Sequence, residues 1–419
     1  MDFPDPVYLP ANPHPEPLRI VSIETSIPRS ILPGLVVIRI RTEDGTEGFG
    51  ETYYGPEAVA SLIHDWMASR LLGADALAIE SHWRFFYERF ANFGVRGAEL
   101  RAISAIDLAL WDILGKVCKQ PVTRLLGGPV RKAVPAYNSC GHPSYGRVPN
   151  GQHGWPGYGT PGEPGPLQDS YNFFHHPVEL VAELKEAGYR AMKTWCFDAA
   201  AHRDGGMTIS NDFIARAVRP LEKIREAYGD SFEFMIDGHG FFMLPAALRI
   251  AEALRPLKPL WLEDILKMDN LRTLADFRRQ SGLPISASEM LLTRADVLEV
   301  LIGQAADYIM VDPTWVGGIS ESVRLAHLAQ GFNVPCTMHD CTGPLTLFAG
   351  IHVNASVAGC CFQETVRAHI QSFYSDLVDE LPVISEGNVA IPTRPGLGVL
   401  LNPELFTERF TYRRTEIPH

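Results

Sequence analysis

Two β-branched runs, "LRIVSIET" from residue 18 and "GLVVIRIRT" from residue 34, alternate with polar positions, and the turn-forming "EDGTEGFGE" follows them. The pattern predicts a hairpin extended by a further short strand. Between about residues 57 and 128 the periodicity becomes helical, and "AISAIDLALWDILGKV" (102–117) is apolar nearly all round, as a helix buried between two layers would be. The "GG" at 127–128 is expected to punctuate the end of that helix. The N-terminal third therefore reads as an α+β unit.

From residue 133 the pattern changes to short apolar runs separated by amphipathic helices: "AVPAYNS", "RAMKTWC", "FEFMID", "LWLED", "LPISASE", "ADYIMVD", "VPCTMHD" and "CCFQET". Eight such strands at near-regular spacing predict a parallel (β/α)₈ barrel of TIM type. Asp237, Glu263, Glu289, Asp312, His339 and Glu364 follow one another at 23- to 27-residue intervals, one βα unit each. Their side chains are thus expected at one end of the barrel, the end that carries the active site in this architecture. Residues 141–177 break the rhythm with a stretch rich in Gly, Pro, His and aromatics, which reads either as a flexible insertion or as an active-site or subunit-interface loop. The expected division is an arm (1–18), an α+β cap (19–132), a barrel (133–380) and a tail that rejoins the cap (381–419).

Composition narrows the function classes. With 46% hydrophobic and 21% charged residues the chain matches an ordinary globular protein, and no stretch of 18 or more uninterrupted apolar residues stands out as a membrane span. The opening residues are Pro-rich and acidic, without the basic start of a signal peptide, so a cytoplasmic location is expected. Seven cysteines without a CxxC pair fit reduced thiols better than disulfides or a zinc framework. A net charge of −12 disfavours nucleic acid and anionic membranes as partners. An anionic small substrate would need locally supplied positive charge.

Asp237, Glu263 and Glu289 on three consecutive strands offer hard oxygen donors suited to Mg²⁺. Solvated acids at strand ends are the alternative, but three without a basic residue among them would repel one another unless a cation held them. Asp312 and His339, on neighbouring strands, suit a general base and the carboxylate that fixes its tautomer. Lys193 stands across the barrel mouth, either as an ordinary surface lysine or to offset substrate charge. His239 follows Asp237 by two, so if the strand continues that far both side chains point inward; otherwise it is a loop histidine.

Taken together, "SAIDLALWDILGK" with "LLGG", "MIDGHG", "WLED", "SASE", "VDPTWVGGIS", "MHD" and "PGLGV" resemble the enolase superfamily, in its mandelate racemase and acid-sugar dehydratase branch. The resemblance runs from about residue 19 to the end. It implies a modified (β/α)₇β barrel under an α+β capping domain formed by the N-terminal region and C-terminal tail. It further implies Mg²⁺ on Asp237, Glu263 and Glu289, a base dyad of Asp312 and His339, and Glu364 as the acid that hydrogen-bonds an enediolate.

Racemases of this type carry Lys-x-Lys on the second strand. Here Lys193, Thr194 and Trp195 stand there, so the second base is missing. A histidine two after the third-strand ligand instead resembles mannonate and galactonate dehydratases, which makes His239 the candidate acid for a leaving hydroxide. The expectation is a Mg²⁺-dependent dehydratase of aldonates or aldarates, a homo-oligomer producing a 2-keto-3-deoxy acid. An epimerase or lactone cycloisomerase using His239 as second acid/base, and a non-catalytic relative, are the competing readings. Substrate choice is expected to rest on loops near Ser26 to Pro33 and Thr52 to Pro56, with the 141–177 insertion as a further contributor.

Overall fold

A computed structural model describes residues 16–147, 162–201 and 204–417. Strands β1 (Ile20–Ile27), β2 (Leu35–Thr42) and β3 (Glu47–Tyr53) form an antiparallel meander. The helix Ala98–Val117 lies across it with most of its residues buried, because a helix apolar on all sides needs cover on all sides. It ends at Val117, and the glycines at 127–128 instead follow a separate short helix, Val122–Leu125, so they do not punctuate the long helix.

Eight parallel strands close the second layer: β4 (Val134–Ser139), β5 (Ala191–Thr194), β6 (Glu233–Asp237), β7 (Leu262–Glu263), β8 (Ile285–Ala287), β9 (Tyr308–Val311), β10 (Cys336–Met338) and β11 (Cys360–Thr365). β11 pairs back onto β4, Glu364 opposite Tyr137, and leaves the barrel without an edge. Among the described residues each of the seven crossovers carries a helix, whereas β11 is followed by only the short turns Arg367–Ile370 and Tyr374–Leu377. The barrel is therefore (β/α)₇β rather than (β/α)₈. Its interior is plugged by Tyr137, Met235, Trp261 and Met310, so it is a packed core and not a pore.

The tail divides. β12 (Ile384–Ser385) and β13 (Asn388–Val389) form a small hairpin that pairs antiparallel with the start of β4, while β14 (Thr411–Glu416) pairs antiparallel with β1 of the first layer. Of the 141–177 stretch, 169–175 is a helix, held by Asp169, whose buried carboxylate takes hydrogen bonds from Arg367 and Asn138. Residues 148–161 of that stretch, and 1–15 of the expected arm, lie outside the described residues. All seven cysteines are free thiols, and among the described residues no helix is long and apolar enough to cross a membrane.

Buried acids join the layers. Asp107 accepts from the Ser320 amide (3.0 Å), Asp112 from the amides of Leu397 (2.8 Å) and Phe49 (3.0 Å), and Glu51 from the Thr346 amide (2.7 Å). Each satisfies backbone donors that would otherwise be stranded in an apolar seam. Gly318 sits against Asp107 with φ +89°, and a Cβ there would collide with the Asp107 carboxylate. Gly318→Ala is therefore expected to destabilise the fold by about 1–3 kcal/mol through backbone strain and loss of the seam. Denaturant unfolding monitored by tryptophan fluorescence checks this.

Candidate active site

The barrel mouth gathers charge on a small area. Asp237 and Glu263 stand opposite each other at the ends of β6 and β7. Between them lies the ammonium of Lys193, from β5, 3.2 Å from Asp237 Oδ2, hydrogen-bonded to Glu263 Oε1 and 2.9 Å from Glu364 Oε1. Lys193 is 1% exposed and its cation is thus taken up by the protein's own acids. Burial works against its charge, but Glu263 and Glu364 outweigh that and hold it well above the ordinary lysine value. The second oxygen of Glu263 accepts from Trp261 Nε1 at 2.8 Å, which ties the site to the aromatic plug below.

Glu289 does not end a strand as its spacing predicts. β8 stops at Ala287, and Glu289 follows in the turn, where it lines the same pocket as Asp237 and Lys193. Its Oε2 is buried without a hydrogen-bond partner among the described residues. An orphaned carboxylate oxygen beside two further carboxylates, all hard donors, fits a hard divalent cation. Among the described residues the group whose donor atoms already lie within 4.8 Å of one another is a different one, His339, Cys341 and Glu364. Lys193 reaches two of the expected trio, Asp237 and Glu263, instead.

On the other side, His339 follows β10 and donates from Nδ1 to Asp312 Oδ2, 2.8 Å away. Asp312 is fully buried and held by the Thr314 amide (2.7 Å) and the Thr342 hydroxyl (3.1 Å). That leaves His339 Nε2 toward the pocket, 3.8 Å from Glu364 Oε2. Burial opposes the imidazolium, yet Glu364 and the Asp312 hydrogen bond raise His339 well above its ordinary value. Glu364 itself is fixed by the Ser139 hydroxyl and the Asp340 amide (3.2 Å).

His239 lines the pocket, but strand alternation does not put it there. β6 ends at Asp237, and His239 lies in a turn with φ +46°, its amide bonded to Asp237 Oδ1 at 2.9 Å. Its Nδ1 pairs with Asp198 Oδ2 at 2.7 Å. Burial lowers the pKa of His239, but Asp237 and Asp198 dominate and lift it to about 10; burial pushes Asp198 up to about 6, with His239 acting against it.

Asp198 lies outside the strand-end spacing that predicts the other acids, because it sits in a helical turn four residues beyond β5. The signal that would have found it is the adjacency of β5 and β6, which lets a carboxylate after one strand reach a histidine after the next. Asp264 also escapes the pattern, hidden by its neighbour Glu263. It is hydrogen-bonded to Ser288, and burial together with Glu289 and Asp237 raises it well above the usual carboxylate range. Tyr54, Tyr145, Trp195 and Trp315 wall the pocket. Tyr54 comes from the expected 52–56 loop and Tyr145 from the start of the 141–177 stretch. Trp195 packs edge-on against His239 and stacks on Tyr145, so an aromatic wall stands where Lys-x-Lys chains carry a second base.

Residues 177–405 match the enolase C-terminal domain-like family, and residues 14–127 match the mandelate racemase/muconate lactonizing enzyme N-terminal domain. Among curated proteins, arabinonate dehydratase of Saccharolobus solfataricus is 27% identical over 376 residues, covering 89% of this chain and 90% of its own. D-galactonate dehydratase of Pectobacterium atrosepticum is 29% identical over 386 residues, covering 90% and 91%. A crystal structure of an enolase protein from Sargasso Sea environmental sequence superposes with a TM-score of 0.83 at 36% identity, covering 96% of this chain and all of the other. By both domains and across nearly its whole length, the chain belongs to the enolase superfamily, in its mandelate racemase and acid-sugar dehydratase branch.

Proposed function

We propose that this protein is a Mg²⁺-dependent hydro-lyase that converts an aldonate or aldarate into a 2-keto-3-deoxy acid. The observation that carries the reading is the pairing of two imidazoles in one pocket with a tryptophan, not a lysine, directly after the second strand. Proton removal and hydroxide loss are successive demands, and two histidines on opposite sides of a substrate can meet them separately. The dehydratase names of the arabinonate and galactonate relatives support the same assignment.

Asp237, Glu263 and Glu289 would hold the cation, which supplies Lewis-acid charge for the substrate carboxylate as negative charge spreads onto it. His339 in its neutral form, with Asp312 holding Nδ1, presents Nε2 to take the C2 proton. Lys193 and Glu364 lie beside that nitrogen's path, and Lys193 offsets the acids that crowd it. His239 delivers a proton to the 3-hydroxyl, which leaves as water, and the resulting enol becomes the 2-keto group when C3 is protonated. Trp195, Tyr145, Tyr54 and Trp315 exclude bulk water and strengthen each electrostatic contact inside.

Exhaustive chelation is expected to abolish activity and added Mg²⁺ to restore it, whereas Glu263→Gln is expected to stay inactive at any Mg²⁺ concentration. Metal titration of the purified protein by calorimetry, read beside turnover, checks both.

The two histidines separate in D₂O. His339→Asn should eliminate both dehydration and exchange of the C2 hydrogen. His239→Asn should slow dehydration by about 10²–10⁴-fold, the range for losing a general acid, while C2 exchange into returned substrate persists. Proton NMR of the recovered acid measures both. Exchange lost in the His239 variant and kept in the His339 variant would reverse the assignment.

A further inference from the structure

The arrangement of acid and imidazole seen at Asp312 and His339 occurs a second time. Asp312 and His339 follow the adjacent strands β9 and β10, and Asp198 and His239 follow the adjacent strands β5 and β6. In each pair the acid comes from the earlier strand, the imidazole from the later one, and the contact is made at Nδ1, at 2.8 Å and 2.7 Å. β5 and β6 are the second and third strands of the eight and β9 and β10 the sixth and seventh, so the pairs face each other across the mouth.

Asp198 is 3% exposed, and its Oδ1 has no hydrogen-bond partner among the described residues. The open Oδ1 does not itself mark a role, since the seam acids Asp107 and Glu51 each leave one oxygen unpartnered among the described residues; what distinguishes Asp198 is the partner of its other oxygen. This one places its Oδ2 on a side chain that lines the pocket. Its own turn, Asp198–Ala201, is closed by main-chain bonds from Asp198 to Trp195 (3.3 Å) and from Ala200 to Phe197 (2.9 Å), so the carboxylate is not needed to hold it. The His239 ring is confined between Trp195 and Phe241, with centroids 5.8 and 5.7 Å away. With Nδ1 directed at Asp198, Nε2 is the nitrogen left on the side of Asp237, 3.7 Å from its Oδ2.

The structure assigns Asp198 as the positioning residue of His239: by accepting the Nδ1 proton it fixes the ring so that Nε2 is the nitrogen that delivers a proton to the departing 3-hydroxyl. This rests on the dehydratase reading, and it makes the two steps depend on two separate acid–imidazole pairs.

A double-mutant cycle in the Mg²⁺-loaded enzyme tests it, with kcat, KM and C2 exchange measured for wild type, Asp198→Asn, His239→Asn and the double variant. Asp198→Asn is expected to lower kcat for dehydration by about 10²-fold, with KM little changed and C2 exchange retained. It should add no further loss in the His239→Asn background. Full dehydration by Asp198→Asn while His239→Asn is slow, losses that multiply in the double variant, or an equal fall in exchange and dehydration would each overturn the assignment.

If His239→Asn itself dehydrates at the wild-type rate, the acid role of His239 fails rather than the pairing. A second readout then decides the pairing and needs no variant of Asp198 to fold. In ¹⁵N-histidine-labelled wild type, a downfield Nδ1 proton signal that disappears in His239→Asn supports the bond to Asp198, and its absence from wild type overturns it.

Discussion

Lys193 is the charge around which the site is organised. Two unit charges at roughly 4 Å interact by about 4 kcal/mol at an effective dielectric of about 20, so gathered carboxylates are costly unless cations intervene. One buried ammonium touches Asp237, Glu263 and Glu364 at once, and this links the wall of expected metal ligands to the wall that carries His339. It does not reach every acid. Glu289 retains a buried oxygen without a partner among the described residues, and Asp264 is raised by its burial and then by Glu289 and Asp237. One lysine and two imidazoles face these carboxylates, and the buried Glu289 oxygen that none of them meets is the physical argument for a divalent cation beside them.

The rest of the architecture serves that concentration of charge. A closed barrel delivers one side chain per βα unit to the same rim, and the Trp261 plug fixes Glu263 from below. The long helix Ala98–Val117 and the β3 segment bolt the first layer onto the rim through Asp107 and Glu51, while Asp112 ties the helix to β3 and to Leu397 of the tail. That seam brings Tyr54 over the pocket, beside Trp315, whose ring lies 5.1 Å from that of His339. Stability of the seam and dryness of the site are therefore the same requirement.

Much of this was legible in the residues because barrel geometry turns sequence interval into spatial position. Asp237, Glu263, Asp312, His339 and Glu364 lie at or next to the ends of their strands, as their intervals require. What escaped lies where the interval rule has no purchase. His239 faces the pocket through a left-handed turn rather than through strand alternation, and Glu289 follows β8 at a distance of two residues. Asp198 depends on contact between two neighbouring loops, which no single stretch of sequence encodes. The lysine read as a partner for substrate charge is engaged by protein acids, because spacing alone does not show which of several anions a cation will meet.

The central claim is that proton abstraction here leads to elimination. Incubating the Mg²⁺-loaded protein with a panel of aldonates and aldarates in D₂O, and following products by NMR, tests it most directly. The account predicts that at least one acid sugar yields a 2-keto-3-deoxy acid carrying deuterium at C3. Inversion at C2 without any 2-keto product, or no C2 exchange with any member of the panel, would contradict it.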